Sequence, residues 1–349
     1  MQYVKALVFI LPILFLMGLS DTSDNKTHHT DSGFRNPWFT EDDEKNFFDF
    51  LRWQWNRRIM HQVVKPDRYD LQAIPPEYVN PPERIYSGML TWVGHATFLI
   101  QVDNKNILTD PVWSDRVGPF GKRVGPRRYM PPGIPWEKLP PIDIVVISHN
   151  HYDHMDRGTI EKLEKDFSPV FFVPLENKKF LDEWGIENVV ELDWWDEYLI
   201  DRIKIVCTPA QHFSQRWIND RNESLWSSWI IQADSKTFYF AGDTGYFPGF
   251  KEIGERYSPI DVALMPIGAY EPRWFMQPVH VNPAEALQAY LDLHARYFAA
   301  MHWGTFDQSD ELLDQPPKDL QVAVDSLQVD PDRVWVFAFG ETRSIPPRE

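Results

Sequence analysis

The stretch IDIVVISHNHYDH, residues 142–154, decides how the rest of the chain reads. Residues 142–147 are apolar except for Asp143, the pattern of a strand buried on both faces. They run straight into Ser148-His149-Asn150-His151-Tyr152-Asp153-His154, and Asp156 then stands where a helix is capped. Three imidazoles and a carboxylate are therefore confined to a loop with a rigid element at each end. His149 and His151 are two positions apart and can point at one centre. Asp153 and His154 begin the turn into the helix and can face a neighbouring centre. Zinc favours such a nitrogen and oxygen donor set.

Four donors do not complete two metal sites, so other segments must contribute. Three have the same form, an apolar run ending in a histidine or an aspartate. Residues 203–208 lead to Pro209-Ala210-Gln211-His212, residues 238–240 to Ala241-Gly242-Asp243, and residues 298–301 to His302. A lone histidine after a strand is usually structural, but four such strand ends in one chain specify a shared centre.

Working outward, strands are expected at 88–93, 97–102, 142–147, 170–173, 203–207, 228–232, 237–240, 262–266 and 334–339. Helical spacing marks 157–165, 178–184 and 283–297, and an amphipathic helix is expected within 41–60. Strands interleaved with covering helices predict a layered α/β domain. The chain has 349 residues, enough for two domains, but motifs from His95 to His302 must converge on one centre. A single domain over 33–349 is the consequence. Its 29 prolines, 15 tryptophans, 13 tyrosines and 23 phenylalanines predict many loops around a heavily aromatic core. With 35 Lys and Arg against 51 Asp and Glu, the net charge of −16 excludes a general nucleic-acid binder. The one cysteine, Cys207, excludes a disulfide framework and a cysteine-based zinc site, and reads as a small buried hydrophobe.

Ahead of the domain, residues 6–19 are uninterrupted apolar after one lysine, so residues 1–20 read as a signal peptide or a retained membrane anchor. Either predicts an exported or membrane-associated protein, on the periplasmic or extracytoplasmic side. Residues 21–32 read as a disordered polar linker whose His28 and His29 are solvated. The segment 121–132, with Lys122, Arg123, Arg127 and Arg128 among apolar residues, is a candidate membrane-facing loop. His61 and His294 have no companions and read as surface or core residues.

In the order HxHxDH, His, Asp, His, the motifs resemble the metallo-β-lactamase superfamily. A narrower resemblance, to N-acylphosphatidylethanolamine-hydrolysing phospholipase D, rests on GFRNPW at 33–38, ELDWW at 191–195, FAGDTGY at 240–246, PIGAYEPRWFM at 266–276 and HWGTF at 302–306. It spans residues 33 to 343. The resemblance implies an αββα four-layer sandwich, the metallo-β-lactamase fold, holding two zinc ions. By position, His149, His151 and His212 match the ligands of one zinc, and Asp153, His154 and His302 those of the other, with Asp243 bridging. It further implies a zinc-dependent phosphodiesterase in which a metal-bound hydroxide attacks phosphorus, giving N-acylethanolamine and phosphatidate. The partner would be a phospholipid at a membrane surface, and the family pattern also fits a homodimer.

Asp243 and His280 are the expected catalytic residues, His280 as a phosphate contact or proton donor. Vertebrate members carry Gln before this histidine and Asp two positions after it, where this chain has Val279 and Asn282. His95 is expected to make a structural hydrogen bond. The aromatic runs around Trp194 and Trp274 are expected to serve the core or an acyl-chain groove. Two other readings are a hydrolase of the same fold acting on a lactone or another phosphodiester, and a non-catalytic lipid- or partner-binding module. The module reading predicts a missing ligand, and none is missing.

Overall fold

A computed structural model describes residues 26–348 apart from 41–42, 46, 61–63, 67 and 120–123. Residues 1–20, His61 and the Gly121-Lys122-Arg123 part of the basic loop lie outside the described residues. A ribbon of β1 (His29–Thr30) and β2 (Gly33–Phe34) precedes helix α1 (Phe47–Arg58). The body then runs β3 (Met89–Gly94), β4 (Thr97–Val102), β5 (Lys105–Thr109), β6 (Ile144–Val146), α2 (Arg157–Phe167), β7 (Val170–Pro174), α3 (Lys178–Glu183) and β8 (Val189–Leu192). It continues with β9 (Glu197–Ile200), β10 (Ile203–Thr208), β11 (Ser228–Gln232), β12 (Thr237–Phe240), α4 (Gly249–Tyr257), β13 (Val262–Pro266) and α5 (Arg273–Met276). It closes with α6 (Pro283–Asp292), β14 (Tyr297–Met301), α7 (Pro316–Leu327), β15 (Val334–Trp335) and β16 (Thr342–Ser344).

Two seven-stranded mixed sheets result, ordered β16-β3-β4-β5-β6-β7-β8 and β15-β14-β13-β12-β11-β10-β9. The apolar runs are explained by which side each residue serves. Phe98, Ile100, Ile107, Ile144, Val146 and Phe172 face the large core, shared with Ile205, Trp229, Ile231, Phe238 and Phe240 of the other sheet. Their neighbours Leu99, Leu108, Val145, Ile147, Phe171 and Val173 face the second core, closed by Ile160 and Leu163 of α2 and Leu181 of α3. Helices α4, α6 and α7 cover the other sheet through Ile253, Leu287 and Leu320. This is the αββα sandwich, in one domain. Strands β5-β6-β7 pair in parallel, as do β12-β13-β14. Their carboxyl ends are therefore gathered at one edge, where α/β sheets place their sites.

Several expectations are corrected. Residues 26–32 are ordered rather than a free linker: Lys26, His28 and His29 all bond Asp193, and His28 is buried against Trp194. A buried carboxylate with no other full counter-charge draws these side chains in. Arg128 cannot lie on a lipid surface. It is 8% exposed, its guanidinium donates to Ser114 O and Val112 O, and it stacks over Phe306. Helix α6 stops at Asp292 rather than 297, because His294 adopts φ +52° and Tyr297 opens β14. Strand β15 ends at Trp335; beyond it Phe337 and Phe339 are buried, and Phe339 makes only an isolated parallel bridge with Ala73. Among the described residues no helix is long and apolar enough to cross a membrane.

Candidate metal centre

Beyond β6 the chain is fixed by Asp110, which follows β5. Ser148 donates to Asp110 through its main-chain N–H (2.7 Å) and its hydroxyl (2.6 Å), and His154 donates through Nδ1 at 2.6 Å. Because the hydroxyl proton of Ser148 goes to Asp110, its lone pair accepts from His149 Nδ1, 2.9 Å away. His212 Nδ1 donates to Val279 O at 2.9 Å. Oxygen acceptors on the outer nitrogens set the tautomers, and the inner Nε2 lone pairs of His149, His154 and His212 are left to face the centre.

Two donor clusters follow. In one, His151 Nδ1 lies 2.8 Å from His149 Nε2 and 3.3 Å from His212 Nε2. In the other, Asp153 Oδ2 lies 3.3 Å from His154 Nε2 and 3.6 Å from His302 Nε2. Asp243 stands between them. Its Oδ2 is 3.2 Å from His154 Nε2 and 4.0 Å from His212 Nε2, and its Oδ1 is 3.1 Å from His302 Nε2. Gly242 allows this placement: its φ is +58°, and a Cβ there would lie 2.5 Å from Ser148 Cβ. All seven residues expected from the sequence are thus brought together.

The electrostatics of the pocket ask for cations. Burial and the neighbouring imidazoles keep His149 and His212 well below the ordinary histidine range, and burial brings His151 to about 3. Across the centre, burial also works against charged imidazoles, but Asp243 and Asp153 outweigh it and raise His154, with His302 at about 9. The two carboxylates stay ionised despite burial because these histidines face them. Facing lone pairs at hydrogen-bond distance, together with His154 Nε2, His302 Nε2 and Asp243 Oδ1 left buried without a hydrogen-bond partner, are what a bound divalent pair satisfies. The residues fit two such ions.

The surrounding residues hold the donors in place. His95 makes the expected structural bond, and its partner is Asp153 Oδ2, at 2.8 Å. Gln308 Nε2 donates to the same oxygen at 2.9 Å. The sequence reading missed Gln308, which no motif marks. It also missed Asp110, although Ile107-Leu108-Thr109-Asp110 has the same strand-then-acid form as the ligand segments. His280 is 12% exposed at its side chain, 3.9 Å from Asp243 Oδ2, with Nδ1 unpartnered. Burial brings it to about 4, so it is neutral near neutrality. Cys207 is buried as expected, and His294 is exposed and belongs to none of the donor clusters among the described residues. The cluster of His28, His29 and Asp193 has metal-like spacing, but the Lys26 ammonium sits on the same carboxylate, so it is an ion-pair knot. Beside the centre lies a cavity of about 480 Å³ lined by Trp38, Gln211, Tyr246, Arg273, Trp274 and Pro278, among others.

Sheets, site and donor set define a metal-dependent hydrolase of the metallo-β-lactamase superfamily, and the family model of the beta-lactamase superfamily domain matches residues 105–303. The solved metallo hydrolase Igni18 of Ignicoccus hospitalis superposes with a TM-score of 0.54 at 25% identity, over 73% of this chain and 97% of that one. N-acyl-phosphatidylethanolamine-hydrolyzing phospholipase D 1 of Caenorhabditis elegans is 40% identical over 72% of this chain and 74% of its own length. The mitochondrial enzyme of that name from Saccharomyces cerevisiae is 37% identical over 66% of this chain and 51% of its own. Within the superfamily, the chain belongs to the N-acylphosphatidylethanolamine-hydrolysing phospholipase D family.

Proposed function

We propose that this protein is a zinc-dependent phosphodiesterase that hydrolyses N-acylphosphatidylethanolamine at a membrane surface, releasing N-acylethanolamine and phosphatidate. The observation that carries the reading is Asp243 standing between two complete donor clusters beside a cavity. Five imidazoles and two carboxylates with no thiolate favour zinc. His149, His151 and His212 would hold one ion, Asp153, His154 and His302 the other, with Asp243 shared. When bound, the pair would lower the pKa of a shared water towards neutrality and neutralise phosphodiester charge. Asp243 fixes the spacing of the two clusters. His280, neutral and with a free Nδ1, is placed to hydrogen-bond a phosphate oxygen beside them. The cavity offers room for part of the lipid, with Trp38 and Trp274 on its walls. The apolar residues 6–19 support export or membrane attachment of the enzyme.

Product analysis by mass spectrometry tests this, using mixed phospholipids that include N-acylphosphatidylethanolamine beside a lactone panel, with and without metal chelation. The expected result is phosphatidate and N-acylethanolamine, lost on chelation. Lactone opening alone, or phospholipid turnover that survives complete metal removal, overturns the reading.

A further inference from the structure

The GFRNPW segment at 33–38 supplies no donor to either cluster, yet it runs directly behind one of them. Residues 26–38 form a strap across the body. One end is fastened where His28 Nε2 and His29 Nε2 donate to the two oxygens of Asp193 at 2.7 and 2.9 Å, with the His28 ring stacked 4.2 Å from Trp194. The strap then lies so close to the 222–223 turn that a Cβ on Gly33 would sit 2.2 Å from Asn222 O, and Phe34 N donates to that same oxygen at 2.8 Å. Trp38, at the other end, packs 4.7 Å from Phe247 and 5.8 Å from Trp194 and walls the cavity.

Between these anchors, Asn36 is 8% exposed and its Nδ2 donates to His212 O at 2.7 Å. Both ring nitrogens of His212 are already committed, Nδ1 to Val279 O and Nε2 to the donor cluster. The main chain of His212 is therefore steered by a residue outside its own loop, together with the Gly245 N–H that donates to Gln211 O. Without the Asn36 amide, a buried carbonyl loses its donor and the loop relaxes to find another. Such a shift moves one of three donors in the histidine cluster, whereas among the described residues Asp153, His154 and His302 make no hydrogen bond to the strap.

We infer that Asn36 is a positioning residue for the three-histidine cluster, holding His212 in register through its main-chain carbonyl, and that the Asp193 knot keeps the strap docked. The inference rests on the metal-centre reading above. The test takes the full chain stripped of metal and titrates it with zinc against a competing chelator, then repeats the titration with cobalt(II), whose visible spectrum reports donor geometry. Asn36→Ala is expected to bind one ion as tightly as wild type and the other about 10- to 100-fold more weakly, with an altered cobalt spectrum. Asp193→Asn, bonded to neither cluster, is expected to weaken the same ion by a smaller factor, and it decides the matter should Asn36→Ala fail to fold. Two ions held at wild-type affinity in both variants, with only a lowered Tm, overturn the strap's role and leave the metal centre standing. A wild-type chain that binds no zinc overturns both.

Discussion

Asp153 Oδ2 accepts from His95 Nε2 and Gln308 Nε2, so its carboxylate is aimed from two directions at once. Second-layer donors of this kind typically carry a 10- to 100-fold share of metal affinity. His95→Ala is therefore expected to weaken metal binding at Asp153, His154 and His302 by at least about tenfold, read by chelator competition. His95→Gln, which keeps a donor, should recover part of that loss. His280 makes the opposite prediction. It lies 3.9 Å from Asp243 Oδ2 but belongs to neither three-residue cluster, so His280→Gln should lower kcat by about 100-fold while leaving bound metal unchanged. Metal lost in proportion to activity would make it a ligand instead. The seven donors were legible because each follows an apolar run, a pattern that strand burial imposes on the sequence. Gln308 was not, because it arrives from a loop whose path depends on tertiary packing.

At the scale of elements, helix α6 begins with Asn282, which accepts from Glu285 N–H at 2.8 Å while the Glu285 side chain accepts from Asn282 N–H at 2.9 Å. This closed capping box is one that Asn and Asp serve about equally well. Glu285 is also gripped by Arg273 at 2.7 and 2.9 Å, and Arg273 donates to His280 O at 3.0 Å, so the cap and the His280 loop are one unit. Asn282→Ala should cost about 1 kcal/mol in denaturant unfolding, and Asn282→Asp almost nothing. A larger loss in the Asp variant would show that the amide does more than cap. Most strands buried on both faces were readable from their apolar runs, but central β5 was not, because Lys105, Asn106 and Thr109 leave it only Ile107 and Leu108. Edge strands β8, β9 and β16 were not, because Glu191, Glu197 and Arg343 break the pattern where one side meets solvent. Helix α7 was hidden by Pro316 and Pro317, which a first helical turn tolerates.

On the scale of the whole molecule, Arg348 is stapled to the amino-terminal ends of the central strands β12 and β13. The buried Asp261 carboxylate takes Arg348 at 2.6 Å, Arg296 at 2.9 Å and the Thr237 N–H at 2.8 Å. Burial alone would lift this carboxyl, but these donors outweigh it and hold it below the usual range. A carboxyl depressed in the folded state contributes stability above its unfolded value of about 4, and that contribution is lost as pH falls through the folded value. Asp261→Asn should therefore be less stable by about 2 kcal/mol at neutral pH and should lose less than wild type between pH 5 and 3, measured by thermal unfolding. An unchanged acid profile would remove Asp261 from the account. The donors also divide between the sheets: His149, His151, Asp153 and His154 follow β6, whereas His212, Asp243 and His302 follow β10, β12 and β14. Trp229 Nε1 donates to Ile147 O at 3.0 Å and Ser227 N to Ser148 O at 2.9 Å, two rivets across the seam beside the centre. Any slide of one sheet over the other would change the spacing between the two donor clusters, so a metal bound between them would act as a strain gauge for the inter-sheet core. Trimming Trp229, whose indole bonds Ile147 O beside the donor loop, is therefore expected to loosen metal grip as well as the fold.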